Sequence, residues 1–291
     1  MAWADEYFTH YRDYPIEVVI ETTGRCNARC VFCPHHTLER RSKEMPDELF
    51  ERIVRQLEEI PQGHLFHISP FKVNEFLMDK KIFERIALLN ERLPNAYIRI
   101  FSNFNAAQEA DIERIFEIRN LSDIDISVNS LDPEEYHALM GLKLDRTLDN
   151  LLRFLARVRE QGLVMRQKQI TLSRVAHTPE TDAKFLEDFA IVFRDYIDLL
   201  RPLVIPRGEW IDFLPSEAPL RQNQPCARWA NVEICCDGTV AFCCMDGRAA
   251  YPLGSVWENT VLEIYNQPMY RRLRTQIPEK CTLAPCKFCS Q

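Results

Sequence analysis

Residues 17–33 read EVVIETTGRCNARCVFC. The first five, Glu17 to Glu21, form a short β-branched run bounded by Gly24, which is the pattern of a strand. Cys26, Cys30 and Cys33 follow at once with CxxxCxxC spacing. The three thiols therefore sit on the loop leaving the C-terminal end of a first strand, where βα barrels keep their active sites. Three thiolates satisfy three irons of a four-iron cluster and leave one iron open to bind a substrate, whereas a cluster held wholly by protein takes four. A structural zinc site, with His35 or His36 as fourth ligand, is the competing reading of the same segment.

Outward from this segment, strand-like runs alternate with helical patterns as far as about Pro206. The expected strands are Glu17 to Glu21, Leu65 to Phe71, Ala96 to Ser102, Ile124 to Val128, Met165 to Leu172 and Pro202 to Ile205. Amphipathic helices are expected near Pro46 to Glu59, Lys80 to Arg92, Ala107 to Arg119, Asp145 to Gln161 and Pro179 to Leu199. Such alternation builds a parallel sheet with crossover helices. Six βα units occupy roughly 190 residues, short of the roughly 250 of a closed eight-stranded barrel. The expected fold is thus α/β, a partial (β/α)6 TIM barrel; an open doubly wound sheet gives the same alternation, and the placement of the cysteine loop decides for the barrel.

The pattern changes after Glu209. Asn231 to Cys244 reads as two strands joined at Asp237-Gly238, a dipeptide suited to a tight hairpin, and one helix is expected from about Asn259 to Thr275. The tail from Cys281 to Cys289 is too short to form a core and calls for a metal staple. The expected organisation is a barrel over residues 1–208 and a small cysteine-rich domain, hairpin plus helix, over 209–291.

Composition bounds the function. With 46% hydrophobic and 27% charged residues the chain is of ordinary globular make-up. The acidic, aromatic N-terminus lacks the basic flank and apolar stretch of a signal peptide, and no run is long enough to span a bilayer, so a cytoplasmic location without membrane contact is expected. A net charge of -7 argues against nucleic acid as a partner. Of eleven cysteines, three lie at 26–33 and eight at 226–289. In a reducing compartment this distribution points to two separate metal sites rather than disulfides. The lone histidines and the basic run Arg40-Arg41-Ser42-Lys43 are read as surface or satisfied core residues.

The motif CxxxCxΦC with aromatic Φ, met by Cys26, Cys30, Phe32 and Cys33, resembles that of the radical S-adenosylmethionine (SAM) superfamily. The resemblance implies a [4Fe-4S] cluster whose open iron chelates SAM. Reductive cleavage would give a 5'-deoxyadenosyl radical that abstracts hydrogen from a substrate. Relatives carry Gly-Gly-Glu after the second strand; Val73-Asn74-Glu75 keeps the carboxylate but not the glycines. Asn103, after the third strand, and Ser127 and Asn129, at the end of the fourth, match positions that relatives use for SAM.

Cys226, Gly238-x4-Cys243 and Cys286-Lys-Phe-Cys289 resemble the extensions called SPASM and twitch domains. That likeness implies Cys226, Cys243, Cys286 and Cys289 as ligands of one auxiliary [4Fe-4S] cluster, Cys244 and Cys281 replacing neighbours if the register differs, and Cys235 and Cys236 packing as small hydrophobes. A four-cysteine zinc knuckle has similar spacing. The expected function is oxidation of a small polar metabolite, a sugar or aminocyclitol, by hydrogen abstraction and electron loss to the auxiliary cluster, with flavodoxin or ferredoxin as external donor. Modification of a ribosomally made peptide is the alternative; the roughly fifteen residues before the first strand leave no leader-binding module, which favours the small substrate. A non-catalytic electron-transfer protein would need no SAM.

Overall fold

Burial alternates residue by residue along strand β3 (Ala96–Ser102). Ile98 and Ile100 are fully buried on one face, while Tyr97, Arg99 and Phe101 are half-buried on the other. Strand β4 (Leu121–Ser127) repeats this, with Ile124 and Ile126 buried and Asp123, Asp125 and Ser127 half-buried. Parallel strands covered on both faces read as nearly continuous apolar runs. Alternation here means that one face lies under helices and the other lines a lumen, largely aromatic along β3 and polar along β4.

The computed structural model describes residues 2–206, 210–211, 225–279 and 282–286. The other strands are β1 (Glu17–Ile20), β2 (Phe66–Ser69), β5 (Ile170–Val175), β6 (Leu200–Ile205), β7 (Asn231–Ile234), β8 (Thr239–Ala241) and β9 (Gly254–Ser255). They form one sheet in the order β6-β5-β4-β3-β2-β1-β7-β8-β9. From β6 to β7 every pairing is parallel; β8 and β9 add antiparallel. The result is the expected partial TIM barrel with a cysteine-rich extension.

The helices are α1 (Ala2–His10), α2 (Asp47–Leu57), α3 (Ile82–Arg92), α4 (Glu109–Ile115), α5 (Pro133–Met140), α6 (Leu144–Gln161), α7 (Pro179–Val192), α8 (Val261–Asn266) and α9 (Pro268–Gln276). Helix α2 shows why they form: Leu49, Phe50, Ile53, Val54 and Leu57 recur at helical spacing and are buried, and Asp47 and Glu48 favour the positive N-terminal end. Helix α7 starts on a capping box of Thr178 and Thr181 with proline in the first turn.

Three expectations are corrected. The single helix over 259–275 is two, because Pro268 forces the preceding Gln267 into extended backbone at φ -56, ψ 145. Regular pairing in β5 starts at Ile170 rather than Met165, since the charged segment before it stays at the rim of the sheet, where Arg166 N–H donates to Leu121 O. Helices α1 and α5 were not foreseen; α1 packs on α9, and α5 supports the cysteine loop.

Strand β7 pairs in parallel with β1 from Glu17↔Asn231 to Ile20↔Ile234. Its hairpin turns at Gly238, φ +92, whose Cβ would meet the Trp257 ring at 2.8 Å. One continuous core takes in Val18 and Ile20 of β1 together with Trp229, Val232 and Ile234.

Candidate functional site

The cysteine loop is clamped by backbone on both sides. Gly24 N–H donates to Lys43 O at 2.8 Å, and a Cβ on Gly24 would lie 2.0 Å from the Arg40 carbonyl oxygen, so only glycine fits this approach. Arg29 and Val31 N–H donate to Met140 O and Leu139 O at 2.8 and 3.0 Å. These carbonyls end α5, which stops on Gly141 in the left-handed region.

Cys26, Cys30 and Cys33 are each half-buried. Each sulfur has a backbone N–H nearby that favours its thiolate: Ala28 for Cys26 (3.4 Å), its own amide for Cys30, and His35 for Cys33. Burial nevertheless pushes Cys30 up to about 12 and Cys33 up to about 11, with Cys26 raised further, again by burial. The free thiols are therefore protonated at neutral pH and release protons on binding iron. His35 Nε2 lies 2.7 Å from Gly24 O; a carbonyl only accepts, so that nitrogen carries its proton and faces away from metal. Among the described residues no three His, Cys, Asp or Glu side chains surround a single-ion position. One zinc ion needs such convergence, whereas thiolates on different irons of a cluster do not meet at one point. Three cysteines on one loop are the donor set such a cluster takes.

Glu75 is buried beneath this loop. Its carboxylate accepts from Ser102 Oγ (2.5 Å), Asn103 N (2.8 Å) and Leu77 N (3.2 Å), and burial raises its pKa. Asn74 turns its Oδ1 back onto Lys72 N, and its buried Nδ2 has no partner among the described residues. Asn103 Nδ2 donates to Asn27 Oδ1 at 2.8 Å, tying β3 to the cysteine loop. Asn105, absent from the expectations, extends the tie to Thr147 and Lys143 O. Phe32 is half-buried and its carbonyl accepts from Trp210 Nε1 at 2.9 Å. Ser127 faces the lumen opposite Ser173. Asn129 stands at φ +60, with its amide committed to Val175 N and Met140 Sδ.

The second cysteine region meets the first through a buried ion pair. Arg40 Nε lies 2.5 Å from Glu21 Oε2, with side chains 6% and 0% exposed. Glu21 also accepts from Val73 N and Cys236 N, and Arg40 donates to Gly247 O at 2.6 Å. This pair joins β1, the loop after it, the loop after β2 and the hairpin. Lys72 reaches Cys243 O at 3.2 Å and Glu233 at 3.5 Å. Cys235 and Cys236 are buried, as is Cys286; Cys226, Cys243 and Cys244 are half-buried. Cys226 and Cys244 stand close enough for each charge to act on the other, with Arg228 beside both. Cys281 and Cys289 lie outside the described residues. Of the two readings given for the basic run, surface or satisfied core, Arg40 takes the second; its partner Glu21 carried no signal in the sequence, nor did Lys72.

Inside the lumen, Asp125 accepts from Ser173 Oγ. Burial pushes its carboxyl up to about 6; Asp123 raises it too, while the Ser173 bond and the Arg99 and Arg201 guanidiniums oppose. The sign follows: the folded chain holds this proton more tightly than the unfolded chain, so the group costs stability as pH rises from about 4 through about 6. Asp125→Asn is expected to be more stable than wild type at pH 7, with the advantage gone by about pH 4. Urea midpoints of the cluster-free protein check this, and a difference independent of pH would refute it.

The chain was compared with known proteins. The family model of the radical SAM superfamily matches residues 20–190, and that of the SPASM iron-sulfur cluster-binding domain matches 226–290. No curated protein matches. Among solved structures, BtrN in complex with AdoMet and 2-DOIA is similar at 15% identity and TM-score 0.62, covering 95% of this chain and 93% of that one. Streptococcus suis SuiB bound to precursor peptide SuiA is similar at 17% identity and TM-score 0.64, covering 96% and 70%. Native anSMEcpe with bound AdoMet and Cp18Cys peptide follows at 14% and 0.64, covering 94% and 87%.

Proposed function

Since this chain belongs to the radical SAM superfamily and carries a SPASM iron-sulfur domain, we propose that it is an oxidoreductase acting on a small polar substrate of the sugar or aminocyclitol kind. Membership makes it an enzyme with SAM, a catalytic and an auxiliary [4Fe-4S] cluster as its cofactors. When bound, SAM and the reduced catalytic cluster supply a 5'-deoxyadenosyl radical able to take hydrogen from an unactivated carbon.

The chain's own residues hold and shape. Cys26, Cys30 and Cys33 are the proposed ligands of the catalytic cluster, Cys226, Cys243, Cys286 and Cys289 those of the auxiliary one, and the closeness of Cys244 to Cys226 makes Cys244 the substitute for Cys243. Phe32, Glu75, Asn103, Ser127 and Asn129 are proposed around SAM: Glu75 with the one lone-pair site its three bonds leave, Ser127 through its hydroxyl, Asn103 and Asn129 by shaping the backbone. The boundary proposed between barrel and auxiliary domain falls near residue 208.

The observation carrying the substrate reading is the lumen itself. Its inward positions include Arg99, Asp123, Asp125, Ser127, Thr171 and Ser173 beside the rings of Tyr97 and Phe101, charges and hydroxyls next to aromatic surface that suit a compact hydrogen-bonding molecule. Oxidation would pass one electron to the auxiliary cluster and one proton to a lumen carboxylate. Peptide modification is the second reading, favoured by the likeness to structures holding peptides.

Anaerobically prepared protein should hold about eight irons per chain and form 5'-deoxyadenosine from SAM under reducing conditions. About four irons with stoichiometric zinc would remove the auxiliary cluster, and no 5'-deoxyadenosine would remove the radical chemistry. Acceleration by aminocyclitols or sugars, but not by cysteine-containing peptides, would separate the two substrate readings.

A further inference from the structure

Oxidising a carbinol releases a proton, which a base within the lumen must take. The described strands carry four carboxylates, Glu17, Asp123, Asp125 and Glu233. Three of them are spent on cations. Glu17 and Asp123 share the Arg99 guanidinium, Glu17 at 3.1 Å and Asp123 at 3.1 and 3.2 Å, and Glu17 also accepts from Ser69 Oγ and Asn231 Nδ2. Glu233 is buried against Lys72 at 3.5 Å. Just beyond the strands, Glu21 is locked to Arg40 at 2.5 Å and Glu75 accepts three hydrogen bonds. A carboxylate held by a cation resists protonation, because its charged form is the one the partner stabilises.

Asp125 alone of the four has no ion pair among the described residues. Its Oδ1 accepts from the neutral Ser173 hydroxyl, and its Oδ2 has no hydrogen-bond partner among the described residues. Burial, joined by Asp123 on the same strand, holds its carboxyl up at about 6 against the Ser173 bond and the Arg99 and Arg201 charges from β3 and β6. A base works best with its pKa near the operating pH. The charge of Asp125 costs stability at neutral pH, and local conflicts of this kind gather at functional sites.

Its height in the lumen also suits the chemistry. Asp125 pairs with Phe101 of β3, and the next two residues of that chain, Ser102 and Asn103, are donors to Glu75. On its own strand Ser127, proposed beside SAM, faces the same way two residues on, about 7 Å of strand. The carboxylate therefore stands one inward position below the SAM end of the lumen, between Phe101 on β3 and Thr171 on β5.

We propose that Asp125 is the general base of the reaction, taking the hydroxyl proton of the substrate radical as that radical is oxidised. The carbinol carbon gives its hydrogen atom to the 5'-deoxyadenosyl radical. One electron then goes to the oxidised auxiliary cluster, the O–H proton goes to Asp125 Oδ2, and the C–O single bond becomes C=O. The assignment rests on the reading of the substrate as a small polyol and names the base within it.

The test uses the anaerobic holoenzyme with SAM and carbinol-deuterated scyllo-inosamine, glucosamine and myo-inositol as probes. Before reductant is added, calorimetry reads contact alone: a probe bound by wild type should bind Asp125→Ala about tenfold more weakly. After reduction, Asp125→Asn, expected to be more stable than wild type at pH 7, should still move deuterium into 5'-deoxyadenosine, while carbonyl product per 5'-deoxyadenosine falls about a hundredfold. Wild-type carbonyl formation should decline below about pH 6. That decline should be missing from Asp125→Asn, and Asp125→Glu should regain part of the rate. Unchanged affinity in Asp125→Ala, wild-type carbonyl formation in Asp125→Asn, or the same acid limb in both each overturns the assignment. If wild type takes deuterium from none of the probes, the polyol reading itself falls, and this assignment with it.

Discussion

Replacing Cys30 by alanine is expected to bring 5'-deoxyadenosine formation down to the enzyme-free level while the protein still holds about four of its eight irons. Cys30 is the middle ligand of the loop, and its flanking residues are fixed independently of any metal: Arg29 and Val31 N–H donate to the end of α5. The variant loop should therefore keep its shape and lose only a thiolate. Two thiolates cannot hold a cluster with a single open iron, whereas the auxiliary cysteines, more than 190 residues away in sequence, are untouched. Iron analysis and chromatography of the reaction read the two effects separately. Undiminished 5'-deoxyadenosine would show that the catalytic cluster sits elsewhere, and loss of all iron would show that the two sites assemble as one.

The second large effect belongs to a residue that touches no metal. Arg40→Ala leaves Glu21, wholly buried, without its counter-charge, and breaking one partner of a buried pair costs about 3–5 kcal/mol. The same change removes the link from Arg40 to Gly247 O, so the hairpin loosens against the barrel. Urea unfolding of the cluster-free chain measures the loss. Because the cost comes from the stranded carboxylate, Glu21→Gln combined with Arg40→Met should recover most of it. A loss below about 1 kcal/mol for Arg40→Ala, or no recovery in the double variant, would show that the pair is not structural.

How far the sequence foretold this molecule depends on which physical signals are local. The βα alternation is local, since periods of two and 3.6 residues appear within any short window, and strand β3 was bounded correctly to the residue. The cysteine loop was legible because its position after a strand is also local. Arg40 and Lys72 were not: their burial depends on Glu21, Glu233 and Gly247, which come from distant segments, and a buried arginine looks in sequence like a solvated one. Asn129 was legible as a polar residue at a strand end, but its positive φ and its bonds to Val175 and Met140 appear only in three dimensions. Helix α5 went unrecognised because eight residues with three acidic or basic side chains give little periodicity.

Strand order also sets a timetable for synthesis. β1 leaves the ribosome well before the neighbour that closes its far edge, since β7 follows some 210 residues later. At about 5–20 residues per second this is an interval of roughly 10–40 seconds. During that time the strand that carries the catalytic loop presents an unpaired row of backbone donors and acceptors, the template on which chains aggregate. Shielding that edge until β7 has emerged therefore limits pairing between nascent chains.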